Sequence, residues 1–218
     1  MDTRPIERLI AEHCEVAGAH DDLRELLAAV AEASGRVPDE TDLDNGVRFV
    51  DGYVRQVPYI CKVAWTAAGN VGLEREMRRI LEAVESYWIE DVDVIPDHLG
   101  IIGLLDDAYC SLALLQAVSD HFQLQSGKFL FPDDLTEANR AMRRVIGEPY
   151  ATELDRLVAG SLGEADILSA VKTLASPEKR AAFEFEATIW SHGPVSRQQV
   201  EELAALGLLG RDLKNGSG

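Results

Sequence analysis

Apolar residues recur at intervals of three and four along most of the chain, the pattern of helices that bury one face and wet the other. Ile6, Leu9, Ile10 and Ala17 predict a first helix over 4–17, and Leu23, Leu26, Leu27 and Val30 a second that stops at Gly35. Asp22 with Glu25 has the spacing of a capping box for that second helix. Val50, Tyr53, Val54, Val57, Cys61, Ala64, Trp65 and Ala68 then form one long stripe, closed at Gly69-Asn70. Pro58 stands in its middle, where a ring without an N–H kinks or splits a helix. Leu73, Met77, Ile80, Leu81, Val84, Tyr87 and Trp88 make the next stripe.

The helix expected over 104–123 differs from the rest. Leu104, Ala108, Leu112, Leu115, Ser119 and Phe122 line one side, while Asp106, Cys110, Ala113 and Ala117 place small residues on nearly the opposite one. A helix apolar on so many sides belongs at the centre of a bundle. Further on, Ala138, Met142 and Val145 predict a helix over 137–146, and Pro149 opens another carrying Leu154, Leu157 and Val158. Ile167, Leu168, Val171 and Leu174 supply one more, and Ser176-Pro177 begins a helix that runs to Trp190 before His192-Gly193-Pro194 breaks it. Ser196 and Gln199 cap a last helix with Val200, Leu203 and Leu206. Only Gly127–Pro132 reads as a short extended piece, and no run alternates as a strand does. The expectation is an all-α bundle of nine or ten helices around a central buried helical hairpin. Residues 1–148 form its main helical domain, 149–214 a C-terminal helical extension that packs on the same body or stands apart, and 215–218 a flexible tail or cloning remnant.

Composition narrows the function. With 218 residues, 46% of them apolar and 27% charged, the chain can bury a substantial core. Its formal net charge of −17 repels phosphate backbones, so nucleic acid is not an expected partner; the charge suits a basic protein partner instead. Cys14, Cys61 and Cys110 are odd in number and far apart, which fits free thiols in a reducing cytoplasm. The start of the chain has no apolar core of a signal peptide, and the longest apolar stretch, Leu99 to Val118, is broken by Asp106 and Asp107, so membrane association is not expected.

Familiar catalytic patterns are missing. There is no His-Glu-x-x-His, no Gly-rich phosphate loop and no Gly-x-Ser-x-Gly elbow, and none of the histidines follows a Glu by three residues. The acidic stretch Gly35–Gly46 invites a calcium-loop reading, yet placing Gly46 as the turn glycine puts Thr41, Leu43 and Gly52 at ligand positions. That excludes it. Cys110, within small neighbours, reads as packing, and Trp65, Trp88 and Trp190 as core.

What remains is the stretch from Glu90 to Val118, which sets Glu90, Asp91, Asp93, Asp97, Asp106 and Asp107 among apolar residues. Asp93-Val94-Ile95-Pro96-Asp97, followed by Gly103 and Asp106-Asp107, with Tyr87 before it, resembles the signature of the YkvA family, a mostly bacterial group of small helical domains of unknown function. The resemblance spans residues 47–122. Asp91 stands where that family has Pro, and His98-Leu99-Gly100 replaces a more apolar turn, which makes this reversal more acidic and more pliable.

Two readings of the acids follow. In the structural one they cap turns, accept backbone N–H groups where the chain reverses, and pair with Arg75, Arg78 or Arg79. In the chemical one Asp93, Asp97, Asp106 and Asp107 converge on a divalent cation, Mg²⁺, Mn²⁺ or Ca²⁺, with His98 joining a transition-metal version. The functional expectation is a non-enzymatic adaptor or regulatory protein acting through protein–protein contact; the alternative is a divalent-metal-binding protein or metal-dependent hydrolase.

Overall fold

The computed structural model describes residues 2–89, 94–95, 97–164 and 206–208, and among them the chain is all-α, with eight α-helices, a 3₁₀ stretch and no strand. Three of the nine or ten expected helices, those near 167–174, 177–190 and 199–206, fall outside the described residues but for the last residue, Leu206.

Helix α1 (Arg4–Cys14) carries Pro5 in its first turn, where the missing N–H costs nothing, and buries Ile6, Ile10 and Cys14. It stops short of Ala17. Helix α2 (Ala19–Ala33) starts from Gly18 in the left-handed region rather than from Asp22, which lies within its first turn, so the capping box expected there does not form. The box stands instead at the head of α3 (Glu40–Arg55). Asp39 accepts the Asp42 N–H at 2.9 Å and the Asp42 carboxylate accepts the Asp39 N–H at 3.1 Å. Half of the stretch read as an acidic loop is therefore helix. Arg24 of α2 reaches across to Asp44 and Glu40 of α3.

The long stripe divides as its proline requires. Gln56 separates α3 from α4 (Val57–Val71), and Pro58 sits in the first turn of the new helix. Gly72, left-handed at φ 72°, closes α4 two residues beyond the expected stop. Helix α5 (Glu74–Tyr87) is a surface helix: Met77, Ile80, Leu81 and Val84 are buried, while Glu74, Arg75, Arg78, Arg79, Glu82 and Glu85 face water. Only the second arm of the expected hairpin is buried around most of its circumference, and that over Leu105 to Ser119.

That arm is α6 (Leu105–Ser126), entered through the 3₁₀ stretch Asp97–Leu104. Leu105, Ala108, Leu112, Leu115, Ser119 and Phe122 are buried, and so are Asp106, Cys110, Leu114 and Val118 on other sides. It packs against α4, α5, α7 (Thr136–Ile146) and α8 (Tyr150–Glu164) and forms the axis of the bundle. The stretch Leu99–Ser126 is long and apolar enough to cross a membrane by composition, but most of it is buried against these neighbours.

Polar anchors fix the surrounding helices. Trp88 Nε1 donates to Ser111 Oγ at 2.9 Å, and Tyr53 Oη donates to Asn139 Oδ1 at 2.7 Å. Helix α8, which opens the expected extension, packs along α6; Tyr109 Oη donates to Asp155 at 2.6 Å, and Arg143 of α7 binds the other oxygen of Asp155 at 2.9 Å. Gly127–Pro132 is an irregular connection rather than an extended strand. Its path is set by side chains of α6: Ser119 Oγ accepts the Leu130 N–H at 3.2 Å and Gln116 Oε1 the Leu135 N–H at 2.7 Å.

Candidate functional site

The 3₁₀ stretch ahead of α6 owes its shape to one residue. Gly100 adopts φ 62° and ψ −132°, a conformation that residues with a Cβ avoid, and the chain bends there between two short helical pieces. A Cβ at Gly100 would lie 3.2 Å from the Ala19 Cβ and 3.5 Å from the His13 carbonyl oxygen. The bend thus brings the reversal against the start of α2 and the end of α1.

The four acids singled out from the sequence are distributed unevenly. Asp93 lies outside the described residues, and Asp97 opens the 3₁₀ stretch, its side chain also outside what is described. Asp106 and Asp107 occupy the first turn of α6, and both are buried, at 3% and 8% exposure. Asp106 Oδ2 accepts the backbone N–H groups of Val94 and Ile95, each at 2.9 Å. The chain reversal is thus held by Asp106 from the far side of the turn. Its other oxygen, Oδ1, is buried and has no hydrogen-bond partner among the described residues. Burial pushes the Asp106 carboxyl above the usual carboxylate range, against the pull of the backbone N–H groups of Ile95, Asp106, Asp107 and Val94.

Two of the three α5 arginines have other contacts among the described residues. Arg75 binds Glu76 at 2.9 Å, and Arg78 stacks 5.4 Å above the ring of half-buried Trp65. Among the described residues no three His, Cys, Asp or Glu side chains gather as a metal-binding group.

The thiols are free and buried. Burial pushes Cys14 up to about 11 and Cys61 up to about 12. Cys110 is pushed higher still, first by burial and then by the negative field of Asp106, Asp107 and Asp155. A thiol held protonated in this way is a packing group and not a nucleophile.

A second polar locus gave little sign of itself in the sequence. Gln56, at the α3–α4 junction, and Asp133, before α7, are buried, and neither side chain has a hydrogen-bond partner among the described residues. Burial raises the Asp133 carboxyl, and the Asp133 charge in turn helps to raise the Tyr59 phenol. Leu124 in the last turn of α6 and Phe129 within the 127–135 connection are exposed apolar side chains, as is Tyr59 of α4, whose phenol feels the Asp133 charge. Leu124 is 79% exposed, Phe129 40% and Tyr59 41%. The available signal was the sequence Phe129-Leu130-Phe131 immediately before Pro132-Asp133-Asp134, which places apolar bulk and charge in a segment without helical period.

Compared with family models, with curated proteins and with solved structures, the chain matches none of them.

Proposed function

We propose that the protein acts through protein–protein contact, as a non-enzymatic adaptor or regulatory protein of the cytoplasm built on a YkvA-like reversal. The observation that carries this reading is the exposure of Leu124 in the last turn of α6 and of Phe129 in the connection that follows it, with exposed Tyr59 near enough to Asp133 to feel its charge. Scattered apolar residues are ordinary on a surface, but a leucine 79% exposed, five residues from an exposed phenylalanine, gives a partner something to bury. The formal charge of −17 selects a basic partner and disfavours nucleic acid and anionic membranes.

The test compares wild type with Leu124→Glu/Phe129→Glu as bait in native lysate. A partner that wild type retains, that the variant loses, and that added salt releases supports the reading. A partner held equally by both proteins, or none alongside a measured turnover, overturns it.

A second reading rests on Asp106 Oδ1, which is buried and has no hydrogen-bond partner among the described residues. A buried carboxylate oxygen is satisfied by a proton or by a cation, and Mg²⁺, Mn²⁺ or Ca²⁺ held with Asp93, Asp97 and Asp107 is the cationic answer. Calorimetry with each ion decides between them: heat of binding in wild type that disappears in Asp106→Asn favours the cation, and its absence leaves the proton.

A further inference from the structure

Gln56 and Asp133 are only 4% and 6% exposed, and none of their four side-chain polar atoms has a hydrogen-bond partner among the described residues. Exposure alternates along 131–136, with Phe131, Asp133 and Leu135 inward, so the Asp133 carboxylate occupies a position that is otherwise apolar. Gln56 leads to the same region. It accepts the Ile60 N–H at 3.0 Å and donates its own N–H to Gly52 at 3.1 Å, which keeps the backbone helical through the α3–α4 junction. Tyr53, Gln56 and Tyr59 therefore follow one another at helical spacing. Tyr53 bonds Asn139 in the first turn of α7, and the Asn139 backbone N–H returns to the Leu135 carbonyl at 2.8 Å. On the other side of Gln56, the Tyr59 phenol is raised by burial and by the nearby Asp133 charge. Gln56 is thus bracketed by two side chains that reach the segment carrying Asp133.

We propose that Gln56 and Asp133 form an internal site for one monovalent cation, Na⁺ or K⁺, held by the Asp133 carboxylate and the Gln56 carboxamide oxygen. A buried carboxylate without a counter-charge is costly. One alkali ion cancels that charge, whereas a divalent ion would leave an excess positive charge in the interior. Both donors are hard oxygens, which suit such an ion and not a transition metal. The Gln56 amide N–H groups remain to donate to water in the ion's shell. Burial raises the Asp133 carboxyl, so a proton neutralises it when the ion is absent. The bound ion ties the α3–α4 junction to the connection that leads into α7. The site shares no residue with the cation reading at Asp106 or with exposed Leu124 and Phe129.

The experiment uses the full chain at constant ionic strength, with tetramethylammonium chloride replaced stepwise by NaCl or KCl so that screening stays the same. The thermal midpoint of wild type rises with the small cation and saturates, as for a ligand that binds only the folded state. Asp133→Asn removes this response, and Asp106→Asn retains it. Gln56→Met keeps the length of the side chain but removes the oxygen, and raises the half-saturating concentration at least tenfold. Midpoints that coincide in all three salts overturn the proposal, since protons and water then satisfy both side chains. A response retained in Asp133→Asn, or unchanged in Gln56→Met, overturns it too. The two variants remove different ligands, so one that does not fold leaves the other to decide.

Discussion

Tyr53 and Asn139 are 86 residues apart and meet inside the protein, the phenol donating to the carboxamide oxygen at 2.7 Å. The pair ties α3 to α7 in a layer that is otherwise apolar. Asn139 also reaches the Leu112 carbonyl of α6, at 3.4 Å. Tyr53→Phe keeps the ring and removes only the donor, leaving a buried acceptor unpaired at a cost of about 1–3 kcal/mol. Urea denaturation should show that loss without a change in the slope of the transition. A variant as stable as wild type would mean that the bond contributes nothing.

Gly100 is the second fixed point. Its φ of 62° and ψ of −132° suit glycine alone, and the Ala19 Cβ stands 3.2 Å from where a new Cβ would go. Gly100→Ala therefore adds strain and a close contact together, an expected loss of about 1–3 kcal/mol or somewhat more. Gly127→Ala, at φ 80° and ψ 6° with open space around it, is a reference for an ordinary left-handed position without a close neighbour. Equal midpoints for the two variants in thermal melts would remove the packing part of this argument.

How far the sequence disclosed this architecture depends on the range of the forces involved. Pro58 divided a stripe as expected because a missing N–H acts on its own turn. Helix α6 was legible because its apolar residues occupy most of its circumference, and the structure buries it accordingly. The start of α3 was obscured because its box uses Asp at both positions amid other acids, and local acidity reads equally as loop or cap. The acid that holds the reversal is Asp106, facing Val94 and Ile95 from twelve and eleven residues away, while Arg75 pairs with its neighbour Glu76 and Arg78 lies over the Trp65 ring. The burial of Gln56 and Asp133 rests on long-range packing, for which one-dimensional periodicity carries no signal.

The three cysteines give a test of how tightly the core is closed. All are buried, and burial holds the thiols of Cys14 and Cys61 protonated up to about 11 and about 12. A disulfide reagent at mildly alkaline pH should find no fast thiol in the native protein and all three after denaturation. Cys14, the lowest of the group, should be the first to react as pH is raised. A thiol that titrates rapidly at neutral pH would contradict the packing of α1, α4 or α6, according to which cysteine is labelled.

The acids make opposite demands on pH, and Asp106 provides the sharper case. Burial raises its carboxyl above the ordinary range in the folded state. Folding therefore increases its proton affinity, and the stability it contributes is fully present below the unfolded-state value and is lost as pH rises through the folded one. Each tenfold change in that affinity corresponds to about 1.4 kcal/mol. Asp133 behaves in the same sense. Glu7 and Glu148, exposed and held below the ordinary range by Lys62 and by Thr152 with Arg143, act in the other, their contribution disappearing as pH falls. Asp106→Asn isolates the first effect, since the carboxamide oxygen can still accept from Val94 and Ile95 but no longer titrates. Denaturation midpoints taken from acid to neutral pH should show wild type losing stability relative to Asp106→Asn as pH rises above the ordinary carboxylate range, then running parallel to it. A constant difference across the series, or one of opposite slope, would show that Asp106 does not gain proton affinity on folding.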